Sequence, residues 1–178
     1  LREALGPEVK LLADVNQGWD EATAIRVGRE LEPFTLYWLE EPLPYEDLEG
    51  CARVAAALTT PIATGETDYG SVGMKRHLEI RAADILMPDL QRMGGVTEFM
   101  KAAALCDAYH TPVSSHLFME ASCHLLAAAP NGLILEHMDW WQELFEEPLQ
   151  LKEGQVLLPD RPGVGLGVNR KALEKFRA

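Results

Sequence analysis

Leu36-Tyr37-Trp38-Leu39-Glu40-Glu41-Pro42 decides the fold. Its apolar body reads as a short buried strand, and two carboxylates and a proline end it. A strand that finishes on an acid delivers that charge to the rim of a sheet. The same pattern stands on either side. Lys10-Leu11-Leu12-Ala13-Asp14 precedes it and Pro61-Ile62-Ala63-Thr64-Gly65-Glu66 follows it. Asp14, Glu40 and Glu66 are 26 residues apart in turn, one acid per repeat.

Working outward, helical patterns separate these strands. Asp20 is a suitable N-cap for a helix that turns Ala24, Ile25, Val27 and Leu31 inward and ends before Pro33. A second helix is expected from about Glu46 to Leu58, a third from Val72 to Ile80, and a fourth from Val96 to Tyr109. Further strands read at Asp84 to Asp89, Pro112 to His116 and Leu133 to Glu136, with a helix over Met119 to Ala129. This makes six β-then-α units. Such alternation implies parallel strands with helical crossovers, either in an open doubly wound sheet or in part of a (β/α)₈ barrel. Polar residues stand at the tips of all six strands rather than at one switch point, which favours a TIM-like barrel. Six units cannot close eight strands, so the barrel is expected to be incomplete, with its first strands upstream of Leu1.

Residues 1–145 are read as the barrel portion and residues 146–178 as a C-terminal appendage. The appendage comprises a hairpin around Glu153-Gly154, a Pro/Gly-rich return and a short helix from Arg170 to Phe176. Gly163-Val164-Gly165-Leu166-Gly167 has neither the preceding strand nor the spacing of a dinucleotide loop.

The net charge of −12 argues against nucleic acid or an anionic membrane as a partner. No apolar run nears the roughly 20 residues that span a bilayer. Cys51, Cys106 and Cys123 are odd in number and lie in apolar helical settings, which suits buried free thiols in a reducing compartment. A cytoplasmic location is expected.

Chemistry concentrates at the strand tips. Carboxylates from three consecutive strands suit a hard cation with open positions, Mg²⁺ first and Mn²⁺ next. No Cys/His cluster at zinc spacing competes. Asp89 and His116, on adjacent strands, form a general-base pair in which the acid fixes the imidazole tautomer. Glu136, on the last strand, could donate a hydrogen bond to an oxyanion if protonated. A cation, three acids and a basic histidine suit removal of the proton next to a carboxylate, because the charge formed must be stabilised as it develops.

At these residues the chain resembles the catalytic barrel of the enolase superfamily, and within it the mandelate racemase subgroup (the mandelate racemase/muconate lactonizing enzyme C-terminal barrel). The matching motifs are Ala13-Asp14-Val15-Asn16-Gln17, Trp38-Leu39-Glu40-Glu41-Pro42, Gly65-Glu66, Met87-Pro88-Asp89, Gly94-Gly95-Val96 and Ser114-Ser115-His116-Leu117-Phe118. Leu135-Glu136 and Pro159-Asp160-Arg161-Pro162-Gly163 extend the match over essentially the whole chain.

The resemblance implies that Asp14, Glu40 and Glu66 are Mg²⁺ ligands, that His116 is the general acid/base and that Asp89 is its partner. It implies that Glu136 bonds a substrate carboxylate oxygen and that Asn16 contacts the α-substituent. A His-Asp pair stands where muconate-cycloisomerase and dipeptide-epimerase relatives use a lysine. The Lys-X-Lys motif and the N-terminal capping domain of the family are not in this sequence, so the chain alone is expected to be incomplete.

The implied activity is dehydration of an acid sugar by a carbon–oxygen lyase. The alternatives are racemisation of a 2-hydroxy acid by an isomerase, or a catalytically inactive metal-binding barrel fragment. The expected partners are a small carboxylate substrate and further copies of the chain in a homo-oligomer. Trp140-Trp141 reads as packing or interface, with a pocket wall as the other possibility.

Overall fold

The computed structural model describes residues 1–177. A single turn of helix, α1 (Arg2–Leu5), precedes the strand–helix series. In order come β1 (Leu11–Asp14), α2 (Glu21–Leu31), β2 (Leu36–Glu40), α3 (Leu48–Ala57), β3 (Ile62–Thr64), α4 (Gly70–Ile80), β4 (Ile85–Leu86), α5 (Val96–Ala108) and α6 (Met119–Ala128). The four strands lie in the order β1-β2-β3-β4, and every pairing is parallel.

The sheet continues through single bridges. Leu86 pairs with Val113, and Val113 pairs with Gly132, both parallel. The fifth and sixth expected strands are therefore present as bridge segments rather than full ladders. A proline precedes Val113, which costs that segment a donor, and Gly132 weakens the last one. The sixth unit also differs, because a 3₁₀ turn over Asp139–Leu144 follows it instead of an α-helix.

Local chemistry explains the helix ends. The Asp20 side chain accepts the Thr23 amide at 2.8 Å, and the Asp47 side chain accepts the Gly50 amide at 2.9 Å. Pro33 ends α2 in a short 3₁₀ turn, and Thr35 follows in left-handed backbone.

Alternate strand residues face opposite sides, as the pleat requires. Leu39 and Ile62 pack with Ala24, Cys51 and Val54 beneath α2 and α3. Leu86 and Val113 join Met74, Leu78, Phe99, Ala102 and Cys106 beneath α4 and α5. The other face gathers Trp38, Ala63, Ile85 and Met87, with Ile134 packed against them. Ile134 belongs to the sixth segment and Trp38 to the second strand. Their shared cluster shows a sheet curled on itself, as in a TIM-like barrel wall.

The three cysteines are buried and free. Among the described residues no helix is long and apolar enough to cross a membrane. In the tail, β5 (Gln150–Lys152) and β6 (Gln155–Leu157) pair antiparallel, and α7 (Arg170–Lys175) follows. Leu149, Val156 and Leu166 seat this tail on Met119 and Cys123 of α6.

Phe99 is fully buried in the larger helix-side cluster. Phe99→Ala should cost about 3–5 kcal/mol of unfolding free energy, measured by denaturant titration. A loss below about 1 kcal/mol would contradict this account of the core.

Candidate active site

Parallel register builds the site. Asp14 and Glu40 are direct Cα partners across β1 and β2, so their side chains leave the same face at the same rim. On β2, Glu40 stands two residues beyond Trp38 and shares its face, and the indole Nε1–H donates to Glu40 Oε2 at 2.9 Å. Glu66 lies two residues past the end of β3, after Gly65, whose φ of +117° suits glycine. A Cβ on Gly65 would also meet the Met74 methyl at 3.1 Å. Chain direction there is therefore set by Gly65 rather than by the strand.

Asp89 and His116 are joined by a parallel backbone bridge. Asp89 Oδ1 accepts the Gln91 and Arg92 amides, each at 2.8 Å. Its Oδ2 lies 2.7 Å from His116 Nδ1. Burial acts to raise the Asp89 carboxyl, but the hydrogen bonds from His116 and the two amides outweigh it and hold its pKa below the ordinary value. An ionised Asp89 accepts from Nδ1–H, which leaves Nε2 as the working nitrogen. Nε2 faces Glu66 Oε1 at 3.4 Å. Burial opposes charge on His116, yet the Asp89 bond and the field of Glu66 and Glu136 raise its pKa above the ordinary value.

Glu136 closes the ring. Its amide donates to Ser115 Oγ at 3.2 Å, and its Oε2 accepts the Leu117 amide at 2.7 Å. Asn16 is exposed at the mouth, and its backbone N–H donates to Asp14 Oδ1 at 2.7 Å. Trp141 stacks on Phe118, ring centroids 4.8 Å apart, and Trp140 meets Trp141 edge-on. Phe118 is two residues beyond His116, so this aromatic group borders the rim.

The acids share the rim without closing on one point. Among the described residues, no three His, Cys, Asp or Glu side chains stand close enough to hold a single ion. Each carboxylate is turned onto a protein donor instead. Asp14 takes the Asn16 amide, Glu40 takes the Trp38 indole, and Glu66 lies 3.5 Å from Arg92. Mutual repulsion of like charges gives the same outward bias.

The electrostatics nevertheless show carboxyls crowded at this rim. Burial pushes Glu40 up to about 7, and the fields of Asp14, Glu66 and Glu136 add to it against the Trp38 bond. Glu66 is raised by burial, with His116 and Arg92 opposing. The available donors are oxygens, which suit a hard divalent cation. Asp14, Glu40 and Glu66 are the residues that could hold it.

Several residues without an assigned role at the sequence level also enter the site. Glu41 is buried beside Glu40, Arg92 donates to the Glu66 carbonyl at 3.0 Å, and Ser115 positions Glu136. The signal for Glu41 was in plain view, as a second acid directly before a proline.

The profile of the enolase C-terminal domain-like family matches residues 1–172. The chain belongs to this family. An L-talarate/galactarate dehydratase of Salmonella typhimurium is 43% identical over 175 residues, which are 97% of this chain and 43% of that protein. A D-xylonate dehydratase of Haloferax volcanii is 37% identical over 181 residues, covering 97% of this chain and 44% of the relative. Among solved structures, an L-talarate dehydratase from Polaromonas sp. JS666, complexed with Mg and L-glucarate, superposes with a TM-score of 0.95 at 42% identity. That match covers 99% of this chain and 50% of the other. The chain thus spans about half the length of the enolase-family relatives it matches.

The raised Glu40 gives a test with a defined sign. Below its ordinary pKa of 4.5 the carboxyl is neutral in both folded and unfolded chains, so it costs nothing. As pH rises through 4.5 to about 7 the unfolded chain loses the proton more readily, and stability falls. Glu40→Gln should therefore stabilise the metal-stripped protein at pH 8, on the order of 1–3 kcal/mol, while abolishing stabilisation by added MgCl₂. Destabilisation of the metal-stripped protein by Glu40→Gln at pH 8 would contradict the electrostatic reading.

Proposed function

We propose that this chain carries the metal-ligand and base half of a Mg²⁺-dependent acid-sugar dehydratase. The observation that carries the reading is the orientation of His116. Its Nδ1 is held by Asp89 and its Nε2 is turned onto Glu66, toward the acid rim.

In this reading Asp14, Glu40 and Glu66 are the residues that would hold Mg²⁺. The ion would supply positive charge beside a substrate carboxylate, where negative charge develops as the α-carbon loses its proton. The protein residues divide the remaining work. His116 Nε2 takes the α-proton, and Asp89 stabilises the imidazolium that results. The electron pair freed from the C–H bond forms the α,β double bond as the β-hydroxyl leaves. His116 returns the proton to that hydroxyl, so water departs and an enol remains. Tautomerisation of the enol gives the 2-keto-3-deoxy acid.

Glu136 is assigned a substrate carboxylate oxygen in this scheme, and the Leu117 amide that donates to its Oε2 supports that role by orienting the side chain. Asn16, exposed at the mouth, contacts the α-substituent. Phe118 with Trp141 forms one wall. The dehydratase names of the relatives support this choice of substrate class, and magnesium in the talarate dehydratase complex supports the choice of metal.

His116→Ala in the complete polypeptide should lower turnover of an acid sugar by about 10²–10⁴-fold. It should leave Mg²⁺ affinity within a few-fold of the parent, because His116 is not a ligand in this scheme. Equal losses of turnover and Mg²⁺ affinity would mean that His116 serves the metal instead. Substrate α-deuterium exchange with solvent tests the proton-transfer step directly, and its absence across a panel of metal-loaded acid-sugar assays would favour an inactive barrel.

A further inference from the structure

Gln17 stands three residues past Asp14 in left-handed backbone, with a φ of 62°. Its side-chain amide reaches two other segments, the connection after β2 and the turn after β3. Oε1 accepts the Tyr45 amide at 3.0 Å. A backbone amide can only donate, so this contact fixes which end of the side chain is oxygen. Nε2 therefore faces the other way, donating to Glu41 Oε2 at 2.9 Å and to Thr67 Oγ1 at 3.3 Å. The Gln17 backbone N–H also donates to the Glu41 carbonyl at 2.7 Å.

The spacing of these contacts is telling. Gln17 shares a loop with Asp14, Glu41 directly follows Glu40, and Thr67 directly follows Glu66. One primary amide thus links the three segments that carry the three proposed metal ligands.

Glu41 is an expensive anchor. It is 1% exposed, and its Oε1 meets no hydrogen-bond partner among the described residues. Its backbone is left-handed at a φ of 38°, a conformation that strains a side chain of this kind. A buried carboxyl with half its acceptors unmet costs stability. Packing alone would be better served by an apolar residue. An acid there makes sense as a fixed acceptor for Gln17.

We infer that Gln17, Glu41 and Thr67 form a positioning belt beneath the proposed metal site, with Gln17 setting the spacing of Asp14, Glu40 and Glu66. Carboxylates brought to one rim repel and would splay their loops. The belt joins the loops through neutral and charge-assisted hydrogen bonds one residue behind the charges. The inference rests on the metal reading above and adds the residues that hold that site to size.

The test is titration of the complete, metal-stripped polypeptide with MgCl₂ by calorimetry, paired with thermal melts without metal. Gln17→Met keeps the length and removes both hydrogen-bonding ends. It should weaken Mg²⁺ binding about 10–100-fold, beyond what the accompanying fall in the metal-free melting temperature accounts for. Should Gln17→Met fail to fold, Thr67→Val and Thr67→Ser carry the test. The valine variant should bind Mg²⁺ more weakly and the serine variant should recover the parent affinity. Parent-like affinity in Gln17→Met, equal affinities in the two Thr67 variants, or a loss that only tracks a lowered melting temperature would overturn the belt. A parent protein that binds no Mg²⁺ would overturn the metal reading and the belt with it, whereas a binding parent with an unaffected variant overturns the belt alone.

Discussion

Like charges held side by side at the end of a parallel sheet are the constraint on which the rest of this structure turns. The register that makes Asp14 and Glu40 partners leaves them no way to separate along the strand. Glu66 and Glu136 add their fields to the same rim. The surroundings answer this repulsion locally, with an indole N–H on Glu40, the Asn16 amide on Asp14 and Arg92 beside Glu66. None of these supplies the two positive charges of a divalent ion. The rim is organised against its own stability in the absence of a cation, a familiar condition of functional sites.

The two faces of the sheet have distinct tasks. Helix-facing residues such as Leu39, Ile62 and Leu86 lock the strands to α2 through α5. Residues of the inner face, Trp38, Ala63, Ile85 and Met87, close over Ile134 and bend the sheet. That bend is what brings Glu136, from the sixth segment, within range of Glu40 and His116. Core packing on one face and curvature on the other therefore meet at the strand tips. Left-handed non-glycine residues collect there as well, at Asn16, Gln17, Glu41, Leu117 and Phe118. Backbone strain at five such positions shows that loop direction, and not only strand direction, aims the side chains.

Much of this was legible in the amino-acid order. Short apolar runs ending in acids located β1 and β2, and the capping acid Asp20 marked a helix start, whereas the cap at Asp47 emerges only in the structure. Asp89 and His116 were legible as a pair because each stands at the end of a short apolar run, although β4 itself stops at Leu86. Other features were not legible. The fifth and sixth segments are bridges rather than ladders, a matter of tertiary spacing around Pro112 and Gly132. The 3₁₀ turn that holds Trp140 and Trp141 after Glu136 carried no signal in the sequence reading. Glu66 does not end its strand but reaches the rim through a glycine turn. Glu41 was read only as part of a motif, because burial of a second adjacent acid depends on the Gln17 side chain arriving from another loop. Nor does spacing along the chain reveal that carboxylates sharing a rim will each turn to a nearby N–H.

The most direct measurement is a crystal structure of the complete polypeptide grown with Mg²⁺ and an acid sugar. The account predicts one ion bound by Asp14, Glu40 and Glu66 at about 2.0–2.1 Å, with the His116 ring directed at the substrate α-carbon. An ion bound elsewhere, or ligand density with those three carboxylates still on their protein donors, would contradict it.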